Sequence, residues 1–165
     1  HRIMGIVNTP EMQIVFSDTP GVLKPNYKLQ ESMLAFSESA LQDADILLYV
    51  TDVVESPEKN MDFLEKVKKM SVPVLLLINK IDQSDQNKLG DIVEKWHNLI
   101  PNAEILPISA QNKFGIDMLL KRIQELLPDS PPYFDKEQLT DKPARFFVCE
   151  IIREKILLYY DKEIP

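Results

Sequence analysis

An α/β fold, a mostly parallel sheet with helices on both faces, is what the 165-residue sequence predicts, on three observations. Apolar runs of strand length alternate with segments whose apolar residues recur at helical spacing. The runs at 44–52 (ADILLYVTD) and 74–79 (VLLLIN) are apolar almost throughout, the pattern of strands buried on both faces of a sheet. The strand-helix units are long enough for right-handed crossovers, so the strands they join run parallel.

The elements follow in order. Residues 2–8 (RIMGIVN) and 13–17 (QIVFS) are short β-type runs, and TPEM between them has the length and composition of a hairpin turn. This pair is antiparallel and adds an antiparallel strand at the edge of the sheet. After DTPG, Leu29, Met33, Phe36 and Ala40 mark a helix that leads into the strand at 44–52. Ser56 can cap, and Pro57 can open, a helix carrying Met61, Leu64 and Val67, followed by the strand VLLLIN. Leu89, Ile92, Val93, Trp96 and Leu99 form a further helical face, and AEILPIS at 103–109 is the next strand. Ile116, Leu119, Leu120, Ile123 and Leu127 make a last helix, stopped by Pro128.

Residues 128–143 (PDSPPYFDKEQLTDKP) hold four prolines and many charges without periodicity, and read as an interdomain linker. The segment 144–165 begins as an amphipathic helix with Phe147, Ile151, Ile152 and Ile156 on neighbouring faces. A lone helix after a linker makes no core of its own, so it reads as the opening of a second domain.

Composition narrows the function classes. The net charge of −7, from 26 acidic and 19 basic side chains, argues against unspecific polyanion binding. It lies entirely in residues 1–143, because 144–165 carry four basic and four acidic side chains. No run approaches the roughly 18 apolar residues of a membrane span, and the N-terminus HRIMGIVNTP has no signal-peptide core, so the chain reads as a soluble piece of something longer. The single cysteine, Cys149, has no internal partner for a disulfide, and a reduced intracellular setting follows. Set among Phe146, Phe147, Val148, Ile151 and Ile152, it is expected to be a small buried hydrophobe. His1 and His97 read as surface residues, and no His/Cys metal spacing occurs.

In an open parallel sheet, ligands bind beyond the carboxyl ends of the strands, and three segments sit at such ends. In LLLINKID, Asn79, Lys80, Ile81 and Asp82 follow a buried strand. The Asp82 carboxylate can accept the N1–H and N2–H₂ donors of a guanine edge, and adenine has no such pair. A buried carboxylate left unpaired by the wrong base gives discrimination on the order of 10⁴. Asn79 can bond the other edge of the base, and the Lys80 stem can lie over the purine face. At the end of the next strand, Ser109 offers a hydroxyl to orient Asp82, and Ser109-Ala110 a backbone N–H for the guanine carbonyl. In the first segment, Asp18 can hold Mg²⁺ through a water, and Gly21 lets its N–H approach a γ-phosphate without a Cβ in the way. Taken singly, Asn-Lys-x-Asp is a polar turn and D-T-P-G a good type I or II turn. Their shared order and placement on strand ends favour the nucleotide reading.

The order DTPG, NKID, SA on an α/β chain resembles the translation-factor-like small GTPases, with their P-loop, Ras-like fold. HRIMGI, DTPGVLKP, the linker PPYFDKEQLTDKPARF and the helix EIIREKILLYYDKEIP resemble the Era family, bacterial GTPases with a C-terminal KH-type RNA-binding domain. The resemblance runs end to end. It implies a GTPase domain at 1–127, a linker at 128–143 and, at 144–165, the first helix of an α+β KH-type domain. It implies GTP and GDP binding with Mg²⁺ as cofactor, and GTP hydrolysis coupled to 30S ribosomal subunit assembly. The partner it implies is the 3′ end of 16S ribosomal RNA, gripped by the KH domain, in a cytoplasmic setting with peripheral membrane association. By motif position, Asp18, Thr19, Pro20, Gly21 and Val22 would be the phosphate and Mg²⁺ switch segment. Residues 79–82 would read guanine, supported by Ser109 and Ala110. Val22 stands where other GTPases carry a water-orienting glutamine, so slow turnover is implied and no catalytic residue is assigned.

No GxxxxGK followed by Ser or Thr occurs in the chain. The resemblance places that loop and the switch-one threonine upstream of His1, and the KH clamp GxxG beyond Pro165. The 165 residues alone are accordingly expected to hydrolyse GTP poorly. Two other readings stand beside this one: a tandem-domain or tRNA-modifying GTPase of the same group, and a nucleotide-free interaction module that keeps the fold.

Overall fold

The structure is a computed structural model that describes residues 3–19, 43–56 and 61–159. The helix expected over 29–40, the helix start at Pro57 and residues 160–165 lie outside the described residues. The described chain falls into two compact units. One joins residues up to Thr19 with those from Pro131 onward, and the other runs between them.

In the first unit, β1 (Ile3–Asn8) and β2 (Gln13–Asp18) pair antiparallel with Asn8 opposite Gln13. The turn is closed by the Thr9 N–H donating to the Met12 carbonyl at 2.9 Å and the Met12 N–H to Thr9 Oγ1 at 3.0 Å. The predicted hairpin is therefore present, with Ile6 and Ile14 buried on it. Among the described residues the two strands form a two-stranded sheet. Further hydrogen bonds join them to the segment read as a linker. That segment runs antiparallel to β1, with the Ile6 N–H donating to the Leu139 carbonyl at 2.9 Å and a bridge between Gly5 and Thr140. Side-chain amides fasten the rest. Gln13 Nε2 donates to the Phe134 carbonyl at 3.0 Å while the Phe134 N–H donates to Gln13 Oε1 at 2.8 Å. Asn8 Nδ2 reaches the Gln138 carbonyl at 2.9 Å, and Thr140 Oγ1 the Met4 carbonyl at 2.8 Å.

The second unit holds β3 (Leu47–Asp52), α1 (Met61–Lys68), β4 (Val74–Asn79), α2 (Gln86–Leu99), β5 (Ala103–Pro107) and α3 (Ile116–Leu126). The sheet order is β3-β4-β5, all parallel. Central β4 is buried at all of its apolar positions, from Val74 to Ile78, as a strand packed on both faces must be. One face carries Val74, Leu76 and Ile78 into a core with Tyr49, Phe63, Leu64, Val67, Trp96 and Ile100. The Tyr49 ring tilts against both Phe63 and Trp96, at centroid distances of 6.3 and 5.7 Å, which locks α1 and α2 onto this face. Strand β3 departs from expectation. Among the described residues it lies at the edge of the sheet, burying Tyr49 and Thr51 and leaving Val50 at 58% exposure. Helix α2 starts where the Asp85 carboxylate accepts the Lys88 N–H at 2.9 Å, a side-chain N-cap.

The helix at 144–165 is present as α4 (Ala144–Tyr159), but none of its residues is buried. Phe147, Val148, Ile151 and Ile152 are all exposed, and so is Cys149, against the expectation of a buried thiol. A helix buries an apolar stripe only where another element packs over it. Among the described residues none covers this face closely enough to do so. His97 is exposed as expected.

Candidate functional site

Parallel register builds the site. Asp52 and Asn79, the last residues of β3 and β4, are direct partners across the sheet, and Ile78 pairs with Pro107 of β5. Three strand ends therefore deliver their following residues side by side. The Ile108 N–H donates to the Ile78 carbonyl at 2.8 Å and the Ile81 N–H to the Ile108 carbonyl at 3.3 Å, stitching the loop after β4 to the loop after β5.

On this frame Asn79, Lys80, Ile81, Asp82, Ser109 and Ala110 come together. The Asn79 carboxamide oxygen accepts two backbone donors, the Lys80 N–H at 2.8 Å and the Ala110 N–H at 3.0 Å. Its NH₂ group, a pair of donors, is then the part suited to a purine acceptor. The bond to its own neighbour holds Lys80 at φ 61°, a left-handed backbone that costs a residue with a Cβ about 1 kcal/mol. That turn leads into a short 3₁₀ segment, Ile81–Gln83, which presents Asp82.

Ser109 is 2% exposed, and its hydroxyl donates to Asp82 Oδ1 at 2.5 Å. This is the orienting bond predicted from sequence. It fixes the carboxylate plane while leaving Oδ2 and further lone pairs available for two more donors. The Ser109 oxygen itself accepts the Asn112 N–H at 3.3 Å, and Ser109 and Phe114 exchange backbone hydrogen bonds at 3.1 and 3.0 Å. One detail differs from the expectation: the Ala110 N–H, assigned to a guanine carbonyl, is donated to Asn79 instead. An open cavity of about 350 Å³ lies here, lined by Ile81, Asp82, Ser109, Asn112 and Phe114. Phe114 is 62% exposed. The loop closes on Gly115 at φ 76°, where a Cβ would stand 3.2 Å from the Pro107 carbonyl. The cavity walls Asn112 and Phe114 carry no motif, and only their place between the Ser109 strand end and that glycine marks them.

Sequence reasoning also missed Asp52. Lys80 Nζ donates to Asp52 Oδ2 at 2.7 Å, and Asp52 Oδ1 accepts the N–H groups of Val54 and Glu55 at 2.9 and 2.8 Å. The lysine hydrogen bond, helped by the two backbone donors, holds the Asp52 carboxyl below its ordinary range against a smaller effect of burial. The same hydrogen bond and charge raise the Lys80 ammonium above its own. The available signal was positional, an aspartate ending the neighbouring parallel strand.

Of the switch segment, Asp18 ends β2 and is exposed, as is Thr19. Both belong to the unit of the hairpin, and Pro20, Gly21 and Val22 lie outside the described residues. No group of three or more metal-ligating side chains occurs among the described residues.

The family model of the elongation factor Tu GTP binding domain matches residues 6–129. The protein named GTPase Era of Lactobacillus helveticus is 42% identical over 165 residues, all of this chain and 55% of that one. GTPase Era of Clostridium tetani is 39% identical, with 100% of this chain and 57% of its own length covered. This chain thus spans about half the length of the curated relatives it matches. Among solved structures, Era in complex with MgGDPNP and nucleotides 1506–1542 of 16S ribosomal RNA superposes with a TM-score of 0.86 at 33% identity, covering 99% of this chain and 57% of that one. A family model that matches most of the chain, beside end-to-end similarity to proteins named GTPase Era, leads to one conclusion: the chain belongs to the family of the elongation factor Tu GTP binding domain.

Proposed function

We propose that residues 79–82 with Ser109 and Ala110 form the guanine-reading site of a GTPase acting in 16S rRNA processing and 30S subunit assembly. The observation that carries this reading is the Ser109 hydroxyl bound to Asp82 at 2.5 Å, on strand ends locked to each other through Asn79. A carboxylate aimed in this way accepts the paired N1–H and N2–H₂ donors of guanine. The Asn79 amide donates toward the opposite edge of the base, and the Lys80 stem covers its face. Adenine would leave the oriented carboxylate without donors, which excludes ATP by orders of magnitude.

Asp18, an exposed hard-oxygen donor at a strand end, fits Mg²⁺ bound with GTP. That ion takes few protein ligands and keeps several waters. The ion would supply charge neutralisation at the phosphates, and Asp18 would hold it through water. Residues 18–22 then make the phosphate-sensing switch, and turnover is slow because Val22 cannot orient a water. The GTPase part ends near residue 127, and α4 opens an RNA-binding domain of KH type whose target is the 3′ end of 16S rRNA. A cytoplasmic setting with peripheral membrane association completes the reading; no helix among the described residues is long and apolar enough to cross a membrane. Titration of the full chain with GTP and ATP tests the proposal. Guanine-selective binding with slow GTP hydrolysis is the expected result, and equal binding of the two nucleotides would refute it.

A further inference from the structure

We infer that Asp52 is a positioning residue of the base site, holding Lys80 in place over the purine face; the inference rests on the guanine reading of residues 79–82. The two oxygens of the Asp52 carboxylate have separate tasks. Oδ1 takes the backbone N–H groups of Val54 and Glu55, which pins the carboxylate to the turn after β3. Oδ2 is then fixed in space and takes the Lys80 ammonium at 2.7 Å. Register places this pair, because Asp52 and Asn79 are partners across β3 and β4 and Lys80 follows Asn79.

An exposed ion pair ordinarily contributes little, since both side chains must be immobilised to form it. Here the acidic partner is already held by two backbone donors, its side chain is only 24% exposed, and the Lys80 backbone is fixed by Asn79. Only the lysine stem remains to be ordered. Anchored at both ends, that stem is a prearranged apolar rail leading away from the loop that presents Asp82. Prearrangement of this kind raises affinity by reducing the ordering that binding would otherwise require. A rail over the face of the base does not sense its edge, so Asp52 governs how tightly a purine nucleotide is held and leaves to Asp82 which purine is chosen.

The test uses Asp52→Asn in the full chain, a change that keeps the Oδ1 acceptor of the turn and removes the charge that holds Lys80. Fluorescent GDP and xanthosine diphosphate are titrated into the wild type, Asp52→Asn, Lys80→Met and the double variant, with Asp82→Asn as control. The expected result is a loss of about fivefold in GDP affinity for Asp52→Asn, the scale of a well-formed but accessible charged pair. The ratio of GDP to xanthosine diphosphate affinity should stay at the wild-type value, and the double variant should bind no more weakly than Lys80→Met. Wild-type affinity in Asp52→Asn would overturn the inference, as would a further loss in the Lys80→Met background or a changed nucleotide ratio. If Asp82→Asn also leaves the ratio unchanged, the guanine reading falls with it. A normal Asp82→Asn switch beside an inert Asp52→Asn removes the positioning role alone.

Discussion

Strand β4 and helix α4 are both rich in large apolar residues, yet they meet opposite fates. Every residue of β4 from Val74 to Ile78 is buried, whereas no residue of α4 is. The apolar content of a segment says that it needs a partner, and the topology decides whether the partner is supplied. For β4 it comes from β3, β5 and the rings of Phe63 and Trp96. For α4 none of the described residues supplies it. The strand whose burial is complete is also the one whose end carries the loop proposed to read the base, so rigidity is concentrated beside that loop.

Truncation at the two places should separate them most. Leu76→Ala, at a site with 0% exposure, removes side-chain volume that surrounding strands cannot refill, at a cost of about 3 kcal/mol. Ile152→Ala on α4, 54% exposed, should cost less than about 0.5 kcal/mol. Denaturant unfolding of both variants checks the contrast, and equal losses would mean that α4 is packed after all. A smaller effect is expected from Ser109→Ala, which leaves Asp82 Oδ1 and the Asn112 N–H without their shared partner. The cost of about 1 to 2 kcal/mol should appear chiefly as roughly tenfold weaker guanine nucleotide binding, measured by titration.

Smallest is the pH response of the pair between Asp52 and Lys80. The carboxyl is depressed in the folded state, so its stabilising contribution is present above the ordinary carboxylate range and lost as pH falls through the lowered value. The ammonium is raised, so its contribution is present below the ordinary lysine range and lost only as pH climbs past the raised value. Stability of the wild type relative to Asp52→Asn should thus be flat across neutral pH and converge on the variant's only at the acidic and alkaline extremes. Thermal melts across pH check it, and convergence near neutrality would contradict it.

The contrast also explains what could be read from the residues alone. VLLLIN was legible because a continuous apolar run bounded by polar residues has one economical solution, a central strand. NKID and Ser109 were legible because strand ends place them, and the bond between Ser109 and Asp82 follows. Residues 131–143 were not, since side chains that fasten them to the hairpin are those of Gln13, Asn8 and Thr140, polar groups that leave no periodic trace. The hairpin was predicted in its turn and its antiparallel sense, because alternating apolar runs flank a short polar turn. Apolar neighbours in sequence put Cys149 in a core, although along a helix those neighbours point in several directions and cover nothing. Asp52 stayed hidden because its role depends on the register between two strands.

The central claim is that Asp82, oriented by Ser109, reads the guanine edge. It is tested most directly by measuring the affinities of GTP and xanthosine triphosphate for the full chain and its Asp82→Asn variant. Xanthine carries a carbonyl where guanine carries its amino group, so an amide at position 82 should weaken GTP by about a hundredfold and strengthen xanthosine triphosphate, inverting the preference. Unchanged affinity for both nucleotides would contradict the account.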